Sequence, residues 1–403
     1  MSAERLMELE KARDSLLSHI LPLKETETAE LSDAFGRVCA EDVYSKADAP
    51  SFPRSAMDGY AVYSGDIAGA SQNSPVTLTV VCEMLAGDHT DIQYAPETAV
   101  RVMTGGFIPE GYDCVVKQED TDYGEKCVRI YKAVSPFTNY SGAGEEFSKG
   151  DLLVKKGSII GRIDGYLLAS GGVGSVSVYR RPRIAIITTG SELQEPCTPL
   201  QKGHIYNGLS YLLSAAVKEI GAEPVYCIGC KDDEEDIADT IQGISGDVDL
   251  VITTGGVSVG KKDLIPAAMK KLGAEVLFHG VDIQPGTPTM AGVYCGGVIL
   301  SLSGNPFAAL ANFDYYFPCI MEKLTGCKSY GTVVKKAVMG AGYPKENVRR
   351  RLVRAWYEDG RVYPAVKHFA SVVGNLRECN CYMDVPPRSP LHVGDSVNIR
   401  MMR

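Results

Sequence analysis

Apolar residues recur at helical spacing in the first segment. Leu6, Leu9, Leu16, Leu17 and Ile20 share one face and Pro22 follows, so a helix is predicted to end close to that proline. A second short helix is expected from about Thr28 to Phe35. From Val43 the texture changes to short β-rich runs, VTLTVVCEML, AVRVMT, DCVVKQED and KCVRIYKAV, separated by Gly, Pro, Asp and Asn. They predict an all-β insertion ending near Tyr140. SGAGEEFSKGDLLVKKGSIIG then leads to a helix at Asp164 to Ser170 and a glycine-rich GGVGS.

From Arg183 strands alternate with helices. RIAIITTG reads as a buried parallel strand. Leu209, Leu212, Leu213, Ala216, Val217 and Ile220 form one face of an amphipathic helix, with Asn207 as N-cap and Gly221 as its stop. The strand EPVYCIG, a helix carrying Ile237, Ile241 and Ile244, the strand VDLVITTGG, a helix with Leu264, Ala268, Met269 and Leu272, and the strand EVLFHGV follow. VILSL then leads through SGNP to a long helix whose Pro306 sits in the first turn behind Asn305. Such alternation predicts a doubly wound parallel α/β domain of roughly 145 residues, with ligands beyond the carboxyl ends of its strands.

After Gly326 β texture returns. RRRLVRAWYEDGRVYPAV predicts a hairpin turning at Asp359-Gly360, within a small C-terminal β domain. The expected fold class is therefore multidomain α/β and β. The divisions are a helical and mixed linker domain (1–43 with 141–178), a β-rich insertion (44–140), the α/β domain (179–327) and a β-barrel-like domain (328–403).

Composition narrows the function classes. The chain has 403 residues, 45% of them hydrophobic, and a net charge of -9, which suits several packed cores and offers no basic footprint for nucleic acid. No apolar run approaches the ~20 residues of a membrane span. Glu4, Glu8, Glu10 and Asp14 interrupt the first apolar stretch as no secretory leader would, so a cytoplasmic protein is expected. In that setting the 12 cysteines read as reduced thiols. Cys227-x-x-Cys230 and Cys379-x-Cys381 lack a second Cys/His pair for zinc, and the histidines form no metal or nucleophile motif.

Three polar clusters fall just after α/β strands: Thr188 to Glu192, Thr253 to Gly260, and Ser301 to Pro306. The topology puts all three on one rim, where glycines allow close backbone approach and helix starts attract phosphate or other oxyanions. Gly255 to Lys262 reads G-x-x-x-x-G-K-K. It falls one residue short of a phosphate-binding P-loop, because Lys262 replaces the magnesium-binding hydroxyl. Asp263 is balanced between capping the next helix and binding a ligand. The acidic run Lys231 to Asp236 is mostly a helix start, with Asp232, closest to the strand, the carboxylate expected to face the rim beside Glu192 and Asp263. In the insertion, SAMDGYA and RVMTGG are by pattern alone ordinary turns.

Taken together and in order, SFPRSAMDGYAV, RVMTGG, TTGSEL, TTGGVSVGKKD, IQPGTP and LSGNP strongly resemble the MoeA family of molybdopterin molybdenumtransferases and the matching E domain of gephyrin. The resemblance spans nearly the whole chain, from ELSDAFGRVCAEDV to HVGDSV. It implies an elongated four-domain subunit with a molybdopterin-binding-like α/β domain, and a homodimer with a shared active cleft. It further implies insertion of molybdate into adenylylated molybdopterin with magnesium-dependent release of AMP. Molybdopterin adenylyltransferase and molybdoenzyme apoproteins would be its further partners.

Residue by residue, the resemblance carries catalytic roles onto Asp58, Thr104, Glu192, Asp232 and Asp263. Glu192 and Asp263 would serve the magnesium, while Asp58 and Thr104 would approach across the dimer. Binding roles fall on Gly190, Ser191, Gly255, Gly256, Ser258, Gly260, Pro285, Gly286, Ser303, Gly304 and Asn305.

The chain departs from the family pattern in three places. SGAGEE stands where RRGED is usual, placing Glu146 at an aspartate position. Gln284 to Pro288 lacks the two lysines of KPGKP, and Ser303 replaces a proline. Arg54, Arg101, Lys149, Lys261 and Lys262 are the cations that would compensate. The rival readings are a molybdopterin adenylyltransferase, which would lack the SAMDGYA insertion, and a non-catalytic pterin-binding scaffold.

Overall fold

The computed structural model describes residues 6–257, 264–366 and 371–402. Seven α-helices are described: α1 (Leu9–Leu17), α2 (Leu31–Ala34), α3 (Arg162–Ser170), α4 (Gly208–Glu219), α5 (Glu234–Ile244), α6 (Leu264–Leu272) and α7 (Pro306–Thr325). The helix expected over Thr28 to Phe35 is corrected. Thr26–Glu30 is a strand, antiparallel to Ser175–Tyr179 with Thr26 opposite Tyr179, and only α2 beyond it is helical. Alternating Thr26 and Thr28 suit a pleated surface, and their partner lies about 150 residues away, beyond any local signal.

The insertion holds a five-stranded sheet in the order Cys114–Lys117, Gly59–Val62, Thr98–Val102, Val76–Met84, Cys127–Ile130. Its two faces bury separate clusters, one around Tyr60, Leu78 and Val116 and the other around Val100, Val102 and Val115.

The α/β sheet runs in the order Glu223–Cys230, Arg183–Thr189, Leu250–Thr254, Gly297–Leu302, Met290–Tyr294, Glu275–His279. Strand alternation sets its double winding. Ile184 and Ile186 point to the face covered by α1, α4 and α7, while Ala185 and Ile187 point to the face covered by α5 and α6. The first four strands are parallel, as expected.

The remaining two pairings are antiparallel, which corrects the all-parallel expectation. Cys295 and Gly296, both at positive φ (49° and 81°), make a tight turn between Met290–Tyr294 and Gly297–Leu302, and two-residue turns can join only antiparallel strands. The sequence reading had no strand at Met290–Tyr294.

The C-terminal region closes into a five-stranded barrel of Val334–Met339, Arg361–Pro364, Arg351–Glu358, Cys381–Val385 and Ser396–Met401. The hairpin turns at Asp359 and Gly360, again both at positive φ, where the Asp-Gly pair predicts it. Among the described residues no helix is long and apolar enough to cross a membrane.

Candidate functional site

The carboxyl ends of three parallel strands open into a cavity of about 810 Å³. Thr188, Thr189, Gly190 and Glu192 come from the first rim loop, Thr254, Gly255 and Gly256 from the second, and Gly304 and Pro306 from the third. The loops touch through their glycines. A Cβ on Gly255 would lie 2.5 Å from the Thr189 carbonyl oxygen, and one on Gly304 would lie 3.2 Å from the Gly255 Cα. Side chains at these positions would push the loops apart.

Two helix starts face this space. The Asn207 side chain caps α4 by accepting the Ser210 N–H, and donates to the Thr188 hydroxyl at 2.9 Å, which fixes α4 to the first strand. Asn305 caps α7 by accepting the Ala308 N–H, and Ser303 Oγ accepts the Asn305 N–H at 3.2 Å. Asn207, Gly208 and Pro306 line the cavity, so it sees the positive ends of both helix dipoles.

Carboxylates balance that positive field. Glu192 and Asp232 both line the cavity. Asp232 accepts the Ser191 N–H at 3.2 Å, and Ser191 Oγ accepts the Asp232 N–H at 3.4 Å, so the first rim loop and the start of the acidic run hold each other. Asp233, one position on, caps α5 by accepting the Glu235 and Asp236 N–H groups, which separates the capping carboxylate from the cavity carboxylate.

A different pair stands in the insertion. Asp58 accepts hydrogen bonds from the Thr104 N–H at 2.7 Å and the Thr104 hydroxyl at 2.8 Å, and these bonds hold its carboxyl below the usual carboxylate range. Among the described residues no side chain of the insertion lines the rim cavity. Glu192 and Asp232 thus meet at the rim cavity and Asp58 meets Thr104 in the insertion, at separate places on one chain.

Ser258, Gly260, Lys261, Lys262 and Asp263 lie outside the described residues. Pro285 and Gly286 are absent from the cavity lining. They pack on α7, where the buried Asn312 side chain donates to the Pro285 carbonyl at 3.0 Å. Of the other compensating cations, Arg101 pairs with Glu83 at 3.5 Å.

Sequence reasoning missed the apolar wall. Tyr206, Leu209 and Leu212 line the cavity beside Leu193 and Leu264, and Val373 reaches it from the C-terminal region. Leu209 and Leu212 belong to the apolar face that the sequence predicts for α4, a pattern that does not distinguish a cavity wall from packed core. Val373 carried no signal, because its approach depends on how the barrel packs.

An open α/β sheet whose strand ends meet two helix starts and two carboxylates is the arrangement of proteins that handle phosphorylated small molecules. Profiles of known families match in chain order: "MoeA N-terminal region (domain I and II)" over residues 7–172, "Probable molybdopterin binding domain" over 185–322, and "MoeA C-terminal region (domain IV)" over 336–400. The molybdopterin molybdenumtransferase of Bacillus subtilis (strain 168) is 34% identical over 91% of this chain and 87% of its own. That of Haemophilus influenzae is 32% identical over 89% and 86%. A solved molybdopterin biosynthesis MoeA protein from Pyrococcus horikoshii OT3 superposes with a TM-score of 0.84 at 30% identity, covering 99% of this chain and 100% of that one. The chain belongs to the MoeA family of molybdopterin molybdenumtransferases.

Proposed function

We propose that this chain completes the molybdenum cofactor by inserting molybdate into adenylylated molybdopterin with release of AMP, and that it works as a magnesium-dependent homodimer in the cytoplasm. The rim cavity carries this reading, because one space presents oxyanion-attracting helix starts, cation-attracting carboxylates and an apolar wall. The starts of α4 and α7 face the phosphates. Tyr206, Leu209 and Leu212 cover the flat ring system of the ligand and keep water from it.

Glu192 and Asp232 offer hard oxygen ligands, and among the described residues no cluster of three or more His, Cys, Asp or Glu forms a ready metal cage. That donor set fits magnesium, which is ordinarily held by one or two carboxylates together with substrate phosphates. Glu192 and Asp232 would hold the ion. Asp263, the family's other position for it, lies outside the described residues. When bound, magnesium offsets the negative charge of the phosphoanhydride between pterin and adenylate. Asp58, kept ionised by Thr104, supplies an acceptor near the pterin or molybdate from across the dimer, a role supported by the two hydrogen bonds that hold its carboxylate charged and in place.

The test mixes purified protein with adenylylated molybdopterin, molybdate and magnesium and measures AMP and finished cofactor. AMP release that depends on molybdate is the expected result. Consumption of ATP would instead make the protein an adenylyltransferase, and binding without turnover would make it a scaffold.

A further inference from the structure

A second cavity, of about 610 Å³, lies between α4, α7 and the barrel. Leu212, Ala216, Leu310, Phe313 and Met401 give it apolar walls. Into this space α7 places a carboxylate, Asp314.

Asp314 is a costly residue for such a place. Its Oδ2 accepts a 2.6 Å hydrogen bond from the Tyr382 hydroxyl, and its other oxygen accepts none among the described residues. Tyr382, from the barrel strand Cys381–Val385, and Glu219, at the end of α4, are the titratable groups that act on it, and neither is a cation. Among the described residues no ion pair includes Asp314. Burial dominates and pushes its pKa up to about 6, with Glu219 acting in the same direction and the Tyr382 bond opposing both. At neutral pH a mostly ionised carboxylate therefore stands half-buried among apolar side chains, with one oxygen that accepts no protein hydrogen bond among the described residues and is open to the cavity.

We propose that this cavity binds a small apolar monoamine, whose ammonium group pairs with Asp314 and whose hydrocarbon body fills the space between α4 and α7. The volume falls within the ~300–1,000 Å³ of small-molecule sites. The charge favours a cation, since a partly desolvated carboxylate gains from a charge-assisted hydrogen bond. Glu219 on the rim adds attraction for the same sign, and the walls exclude an extended polar ligand. The ligand would be separated from the rim cavity by Leu212, which lines both. The site stands independently of the reaction proposed above.

Calorimetric titration of the full chain at pH 7 with n-hexylamine, and with 1-hexanol as its neutral counterpart, tests this. Hexylamine is expected to bind at least tenfold more tightly than hexanol. Asp314→Asn, which still accepts the Tyr382 hydrogen bond, is expected to lose at least tenfold for hexylamine and nothing for hexanol. Should that variant fail to fold, Ala215→Trp, on the exposed side of α4 at the cavity mouth, is expected to abolish binding of both probes. Equal affinity for amine and alcohol, unchanged amine binding in Asp314→Asn, binding that survives Ala215→Trp, or no binding at millimolar hexylamine would each overturn the proposal.

Discussion

The Asp58 carboxylate takes both of its hydrogen bonds from one residue, Thr104, although 46 positions separate them in the chain. Sheet register makes the pair. Gly59 lies opposite Val102 in antiparallel strands, so the residue just before one strand meets the second residue beyond the other. The bonds favour the charged form, so Asp58 stays ionised to lower pH than a free aspartate. Its share of stability is therefore present at neutral pH and is lost only as pH falls through the folded value. Thr104→Val removes the hydroxyl bond and keeps the backbone one. The Asp58 pKa should rise toward its ordinary value, shifting the acid limb of the pH–activity profile to higher pH. Profiles of the two proteins check this, and coincident acid limbs would exclude the hydroxyl from Asp58 ionisation.

Glu192 and Asp232 should prove unequal to their uncharged isosteres. Glu192→Gln and Asp232→Asn keep size and hydrogen-bonding shape but remove the charge that would hold a divalent ion. Each is expected to lower AMP release roughly 100-fold, the scale of one lost electrostatic contact in a reacting site. Excess magnesium should restore part of that loss. Both residues stand at a solvent-open cavity, so unfolding should shift by less than about 0.5 kcal/mol. Activity that tolerates both changes would remove the carboxylates from the reaction.

Gly286 has a structural assignment. Its φ is +97°, and a Cβ there would overlap the amide of Asn312, which donates to the Pro285 carbonyl at 3.0 Å and to Ala308 on α7 at 2.8 Å. Gly286→Ala combines a disfavoured backbone conformation with overpacking against a buried amide, and should destabilise the protein by about 2–4 kcal/mol. Hydrogen exchange of the α7 amides would register it. Exchange rates equal to wild type would mean the loop relaxes at no cost.

Where the chain's structure follows from neighbours in sequence, it could be read in advance. Asn207 and Asn305 cap helices because a short polar side chain precedes an apolar run, and Asp359-Gly360 turns because both positions take positive φ. The rim was legible for the same reason, since glycine-rich loops after buried strands must gather at one sheet edge. Distant partners left no such mark. Thr26–Glu30 becomes a strand only because Ser175–Tyr179 lies beside it, and Val373 reaches the cavity only through the packing of the barrel. In the acidic run, nearness to the strand singled out Asp232 as the rim-facing carboxylate, and it lines the cavity while Asp233 does not. One caps α5 and the other faces the cavity, a difference set by backbone direction rather than residue type.

Asp314 makes stability depend on pH in the direction opposite to Asp58. Its folded pKa, about 6, lies above the ordinary aspartate value, so the folded protein binds the extra proton between those two values. Stability from this group is fully present at acid pH below the unfolded value and is lost as pH rises through 6. Raising the aspartate pKa from its ordinary value to about 6 corresponds to roughly 2–3 kcal/mol. Asp314→Asn keeps an acceptor for Tyr382 without the charge, and should be more stable than wild type at pH 8 by about 2 kcal/mol, with the difference shrinking toward pH 4. Urea unfolding at the two pH values measures it. A gap that stayed constant or widened on acidification would mean that Asp314 does not titrate as its burial requires.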